Sequence, residues 1–318
     1  MTTLAPVPIG TPGVPWGAAE VATWFSRQTV KRSYAADVLS SIDALRSRYD
    51  VVPYGRLDCD PDRYPLFALR SRGWHDALPI ALVTGGVHGY ESSGVHGALR
   101  FADQHAASYA GQVNLLIAPC VSPWAYEVIH RWNPHALDPN RSFREHSPAQ
   151  ESAALMRLVA PLRARVIVHV DLHETTDSDE SEFRPALAAR DGTVSVPGEI
   201  PDGFYLVADS ENPQLEFQQA VLAAVAEVTH IAPADSAGQI IGSPTIAPGI
   251  IAYPVERLGL CIGMVPTAFR TITEVYPDSP RATPEQCRVA QVTAVRSAIA
   301  HALRHRTPAR REPEPATR

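Results

Sequence analysis

The 318-residue sequence holds a single lysine, Lys31, so nearly all of its positive charge is carried by arginine. With 28 basic against 34 acidic residues the formal net charge is -6, which leaves no basic footprint for nucleic acid or for an anionic membrane surface. No segment approaches the roughly 18 uncharged apolar residues that a membrane-spanning helix needs. The start, MTTLAPVPIGTPGVPWG, has neither a basic n-region nor a continuous apolar h-region, so the expected location is cytoplasmic. The four cysteines (Cys59, Cys120, Cys261, Cys287) lie far apart without CxxC spacing. That excludes a zinc knuckle or dithiol redox motif and points to free thiols. A Gly-x-Ser-x-Gly elbow is also missing, which argues against a serine hydrolase.

What is present is an ordinary globular composition, 45% apolar and 19% charged, enough to bury a substantial core. Apolar strand-like runs alternate with helical patterns: PLFALRS; PIALVTGG, then a helix from Glu91; VNLLIAPC, then a helix from about Ser147; RVIVHVDLH; FYLVAD, then a helix from about Pro213. Further strands are expected at GIIAYPV and AFRTITEVY, and Pro284 to Arg304 reads as an amphipathic helix. The pattern predicts a single α/β domain over residues 1–305, with a central mixed, mostly parallel twisted sheet flanked by helices. The tail, residues 306–318, has the Pro and charge content of a disordered end.

One stretch breaks the pattern. GGVHGYESSG, Gly85 to Gly94, sets His88 and Glu91 three apart where a buried strand turns into a helix. That spacing lets an imidazole and a carboxylate converge, and two such groups supply two of the three protein ligands of a catalytic zinc. Loops at the carboxyl ends of strands are where open α/β sheets bind ligands. A third ligand is expected from RVIVHVDLHETT, where His169, Asp171 and His173 share one face of a strand. His173, nearest the loop, is the candidate ligand; His169 reads as a core histidine, and Asp171 as the carboxylate that orients a ligand imidazole. His96, two helical turns after His88, would face away from a site at the helix start, and His130 and His135 lack ligand spacing.

Two further stretches carry candidate chemistry. RWNPHALDPNRSF places Arg131, Asn140 and Arg141, groups suited to holding a carboxylate or oxyanion, in a long irregular segment. AFRTITEVY puts Glu274 on a strand face with Ile272 and Tyr276 as a candidate general base, with Glu256 as the alternative. The acidic run Asp177 to Glu182 reads as a solvated loop, or as a bias toward cationic substrates.

Together these pieces resemble the zinc carboxypeptidase family, the carboxypeptidase A-like metallopeptidases, especially their bacterial branch, with succinylglutamate desuccinylases and aspartoacylases as relatives. GGVHGYE is similar to the family's His-x-x-Glu zinc motif. RWNPHALDPNRSF follows the pattern Arg-x-Asn-x-x-Gly-Val-Asp-Leu-Asn-Arg-Asn-Phe, with Ala136 in place of its glycine, which implies a reshaped loop. DLHE and TITE resemble the strands of the second histidine and the catalytic glutamate. The resemblance implies one zinc held by His88, Glu91 and His173, an oxyanion stabilised by Arg131, and a substrate carboxylate gripped by Asn140 and Arg141. It also implies Glu274 as the base, and Tyr253 as a mobile tyrosine closing over the substrate. The implied activity is metallocarboxypeptidase, hydrolysing the amide of a C-terminal residue, with N-acyl amino acid deacylation or a catalytically silent carboxylate-binding module as alternatives. The expected partner is a small peptide or N-acyl amino acid with a free carboxylate. The segment RLGLCIGMVP is expected to line its side-chain pocket.

Overall fold

The computed structural model describes residues 9–305; the tail expected to be disordered lies outside the described residues. Ten strands form one sheet: β1 Tyr49–Arg56, β2 Pro65–Ser71, β3 Ile80–Gly85, β4 Asn114–Ala118, β5 Val166–Glu174, β6 Tyr205–Asp209, β7 Gln239–Ile240, β8 Ser243–Ala247, β9 Ile250–Tyr253 and β10 Phe269–Val275. Their order is β1-β2-β4-β3-β5-β10-β6-β9-β8-β7. The central strands β4, β3, β5 and β10 run parallel, and antiparallel pairings flank them on both sides. The helices are α1 Ala18–Ser26, α2 Ser40–Ala44, α3 Ser92–Gln104, α4 Pro123–Val128, α5 Gln150–Val159, α6 Arg184–Arg190, α7 Leu215–Ala226 and α8 Pro284–His305. Among the described residues no helix is long and apolar enough to cross a membrane.

The continuous apolar runs mark the strands covered on both faces. Every residue of β3 is buried, and in β5 only Ile167 is not. The largest apolar cluster joins one face of these strands to α3 and α8, and a second cluster lies on the opposite face against α5. The short helices α1, α2, α4 and α6 and the strands β1, β7 and β8 escape the sequence reading. β1 contains Pro53 and a bulge before Gly55, features of an edge strand that break the apolar alternation. β7 and β8 are short and joined by Ile241-Gly242, which lacks the Asn-Gly signal of a tight hairpin.

Because β3, β5 and β10 are parallel neighbours, their carboxyl ends open on the same edge. The register sets Glu274 of β10 beside His173 of β5, and Gly85 of β3 beside Leu172. Helix α8 reinforces that edge from one face. The buried Gln291 side chain donates to the His173 carbonyl at 2.8 Å and accepts from the Thr273 hydroxyl. Gly97 of α3 lets it approach, since a Cβ there would lie 2.7 Å from Gln291 Cβ.

Candidate metal centre

The turn after β3 is built by backbone that side chains would obstruct. Gly86 adopts φ +60°, a left-handed conformation open to glycine, and a Cβ on Gly89 would lie 2.0 Å from the Ala125 carbonyl carbon at α4. Arg32 supports the same turn from outside, donating to the Gly89 carbonyl and, at 2.6 Å, to that of Tyr126. The chain thereby turns tightly enough to bring His88 and Glu91 together just before α3, which begins at Ser92.

His88, Glu91 and His173 are all buried, and one ligand atom from each lies within 4.8 Å of the others. His88 Nδ1 is 2.7 Å from Glu91 Oε1, and His173 Nδ1 is 2.7 Å from Oε2 of the same carboxylate. The second contact is close but not aligned as a hydrogen bond, which leaves Oε2 buried with no hydrogen-bond partner among the described residues. Each imidazole gives its remote nitrogen to another carboxylate: His88 Nε2 lies 3.0 Å from Asp138 Oδ1, and His173 Nε2 lies 2.7 Å from Asp171 Oδ2. A proton held at Nε2 would leave the Nδ1 lone pair of each imidazole free for a cation placed between them and Glu91. Burial pushes the Glu91 carboxyl up, but the two imidazoles outweigh it and hold its pKa down at about 2. Burial likewise opposes charge on His173, yet Glu91 and Asp171 raise its pKa well above the usual range. The centre of the cluster therefore favours positive charge. Two nitrogens, a carboxylate with an unsatisfied buried oxygen and two orienting carboxylates fit a zinc ion.

Asp171 has the orienting place expected of it, and His169 is the core histidine expected, bonded through Nε2 to Thr84 Oγ1 at 2.9 Å. Thr84 in turn donates to Asp171 Oδ1 at 2.5 Å. Asp138 was not anticipated, because its partner is 50 residues away in sequence. It accepts from the Asn140 N–H at 2.9 Å and from Arg131 Nε at 3.1 Å, so one carboxylate joins the histidine motif to the arginine loop. Within that loop Ala136 sits at φ +55°, a left-handed conformation that favours glycine.

A cavity of about 110 Å³ opens beside the cluster, lined by His88, Arg131, Asn140, Arg141, Tyr253 and Glu274 among others. It adjoins an outer cleft of about 900 Å³ that shares Arg131, Arg141 and Tyr253 with it. Arg131 is fixed between Asp138 and Asp179, whose Oδ1 lies 3.4 Å from Nη1, and Tyr90 Oη lies 3.3 Å from the same nitrogen. Arg141 is exposed, held by the Asn140 carbonyl at 2.8 Å, and forms no ion pair among the described residues. Asn140 is buried, with its amide oxygen accepting from Cys261 N–H at 2.7 Å. Tyr253 Oη is 2.8 Å from Ser243 Oγ.

Glu274 Oε2 accepts from Thr175 Oγ1 at 3.1 Å. Burial first, with Glu91 and Asp179 adding repulsion, pushes its pKa up to about 8. The alternative base is excluded from the cavity: Glu256 is exposed and pairs with Arg270 at 3.2 Å. Glu174 also lines the cavity, but its Oε1 is engaged at the start of α3, where it accepts from Ser93 N–H. The acidic run is not a uniformly solvated loop. Asp179 is buried and accepts from Tyr90 Oη at 2.8 Å and from Thr176 N–H at 2.8 Å, while Glu180 pairs with Arg184. Of RLGLCIGMVP only Leu260 lines the cavity, and the other apolar walls come from β6, β10 and the β7–β8 hairpin.

No family model and no curated protein matches the sequence. Solved structures do. A protein from Shewanella denitrificans, provisionally described as a metallopeptidase, is similar at 18% identity, with TM-score 0.62 over 87% of this chain and 96% of its own. A metallo-carboxypeptidase from Burkholderia cenocepacia is similar at 14% identity and TM-score 0.56, over 91% of this chain and 70% of that one. Carboxypeptidase A from Helicoverpa armigera is similar at 13% identity and TM-score 0.56, over 92% and 75%. At these identities the likeness establishes the fold, which is that of the zinc carboxypeptidases.

Proposed function

We propose that this protein is a zinc-dependent metallocarboxypeptidase that hydrolyses the amide bond preceding a free carboxylate in a small peptide. The observation that carries the reading is the meeting, at one cavity, of the His88/Glu91/His173 donor set, the half-buried Glu274 carboxylate and the exposed Arg141 guanidinium, which has no ion-pair partner among the described residues.

His88 and His173, through Nδ1, and the Glu91 carboxylate would hold the ion. When bound, zinc supplies Lewis acidity for polarising the scissile carbonyl and for making a water nucleophilic near neutral pH. Arg141 takes the substrate carboxylate at the mouth of the cavity, and the Asn140 amide lines the same wall. Glu274 accepts the proton of the attacking water on its carboxylate and returns it to the leaving nitrogen. The Thr175 hydroxyl, itself 2.7 Å from Tyr205 Oη, keeps Glu274 Oε2 in place. Arg131 presents fixed positive charge where the carbonyl oxygen becomes negative, and its two carboxylate partners restrain the guanidinium beforehand.

Activity of the wild type and of Glu274→Gln on benzoyl-Gly-Xaa dipeptides and on N-acyl amino acids tests this reading, together with zinc content. Glu274→Gln should keep its zinc and lose about 10²–10⁴-fold in kcat. Full activity in that variant would remove Glu274 as the base. Cleavage of N-acyl amino acids alone would change the activity to deacylation.

A further inference from the structure

The two-residue turn joining β7 to β8 is an unusual place for an isoleucine. Ile240 pairs with Ser243, leaving Ile241 and Gly242 as the turn, with φ +49° and +76°. Positive φ at both positions is the type I′ geometry, which favours Asn, Asp or Gly at the first position. A β-branched residue there is strained. Only partial compensation comes from packing, because the side chain is half-buried against the small cluster of Tyr205, Val207, Leu260 and Ile272.

The same side chain lines both the inner cavity of about 110 Å³ and the outer cleft of about 900 Å³. Arg131, Arg141, Asp179 and Tyr253 are the other residues common to the two, so Ile241 is the one aliphatic group on their threshold. Tyr205, Val207, Leu260 and Ile272 complete an apolar end to the inner cavity. The hairpin and Tyr253 are tied together by the hydrogen bond between Ser243 Oγ and Tyr253 Oη.

We propose that Ile241 is a specificity-determining residue, kept against the preference of its turn because its side chain closes the inner cavity to all but small aliphatic groups. Resting on the carboxypeptidase reading, this makes the substrate class peptides ending in a small aliphatic residue, with the preceding chain lying in the outer cleft. Truncating the side chain removes the wall and relaxes the turn at once.

The test uses 2-methylsuccinate and 2-benzylsuccinate, dicarboxylates that can span Arg141 and the metal while offering the cavity a small or a large group. Zinc-loaded wild type should bind the methyl compound at least about tenfold more tightly, and Ile241→Gly should erase that preference. On benzoyl-Gly-Ala and benzoyl-Gly-Phe, the ratio of kcat/KM for the aromatic over the small substrate should rise about tenfold in the same variant. Ile241→Asn, whose residue suits the turn, should shift both ratios in the same direction and melt no lower than the wild type. An unchanged preference in both variants overturns the proposal, as does a wild type that binds neither dicarboxylate. A wild type that shows the binding preference but cleaves no dipeptide refutes the carboxypeptidase reading and leaves the role of Ile241 standing.

Discussion

Replacing Asp138 by asparagine separates charge from geometry at the point where the two halves of the site meet. Asp138 Oδ1 serves His88 Nε2 at 3.0 Å and the Asn140 N–H at 2.9 Å, while Oδ2 serves Arg131 Nε at 3.1 Å. An asparagine oxygen can still accept from His88, so the imidazole keeps its tautomer but loses the charge that makes Nδ1 a stronger donor. Alanine removes both. Losing such an orienting carboxylate weakens metal binding by about 10–100-fold, or ~1.4–2.7 kcal/mol. Asn is therefore expected near the lower end of that range and Ala near the upper. Arg131 retains Asp179 at 3.4 Å, so the fold should survive. Zinc affinity measured by competition with a chelator, with circular dichroism as the check on folding, reads the effect. Asp171→Asn should act alike through His173. A folded Asp138→Ala protein binding zinc as tightly as the wild type would refute the orienting role.

Other predictions are independent of the metal. Glu151 on α5 is buried with Oε1 unpartnered among the described residues, and burial raises its pKa from 4.5 to about 7. Its folded-state pKa is the higher one, so its contribution is fully present below about 4.5 and lost as pH rises through about 7, roughly 3 kcal/mol in all. Glu151→Gln should flatten that decline in urea denaturation between pH 4 and pH 8, and parallel curves for the two proteins would contradict the assignment. Gly89→Ala would set a Cβ 2.0 Å from the Ala125 carbonyl carbon and 2.1 Å from Tyr126 N, both backbone, so it should cost about 3 kcal/mol or more. A wild-type melting temperature for Gly89→Ala would show that the turn can yield.

The parts of this molecule that are legible in sequence are those fixed by local pattern. β3 announces itself by an apolar run that ends in the turn carrying His88 and Glu91, and β5 by an apolar face alternating with the polar residues His169, Asp171 and His173. Alternation along β5 puts His169, Asp171 and His173 on one face, where Asp171 meets the imidazole of the candidate ligand His173 while the deeper His169 bonds to Thr84. What escapes is set by tertiary contact. Asp138 looks like any loop acid until the fold brings His88 to it across 50 residues, and Gln291 is one more polar position on a helix until it reaches the His173 carbonyl. The acidic run fails for a related reason, since composition cannot distinguish the buried Asp179 from its exposed neighbours. The hairpin is invisible because an isoleucine occupies the turn position where asparagine would have signalled it.

Every role proposed for the site depends on three side chains holding a zinc ion. Metal analysis of the purified protein after dialysis against trace zinc should find one zinc per chain, with His173→Ala folded and losing it. A folded wild type that retains no zinc, or a His173→Ala protein that retains it in full, would contradict the account.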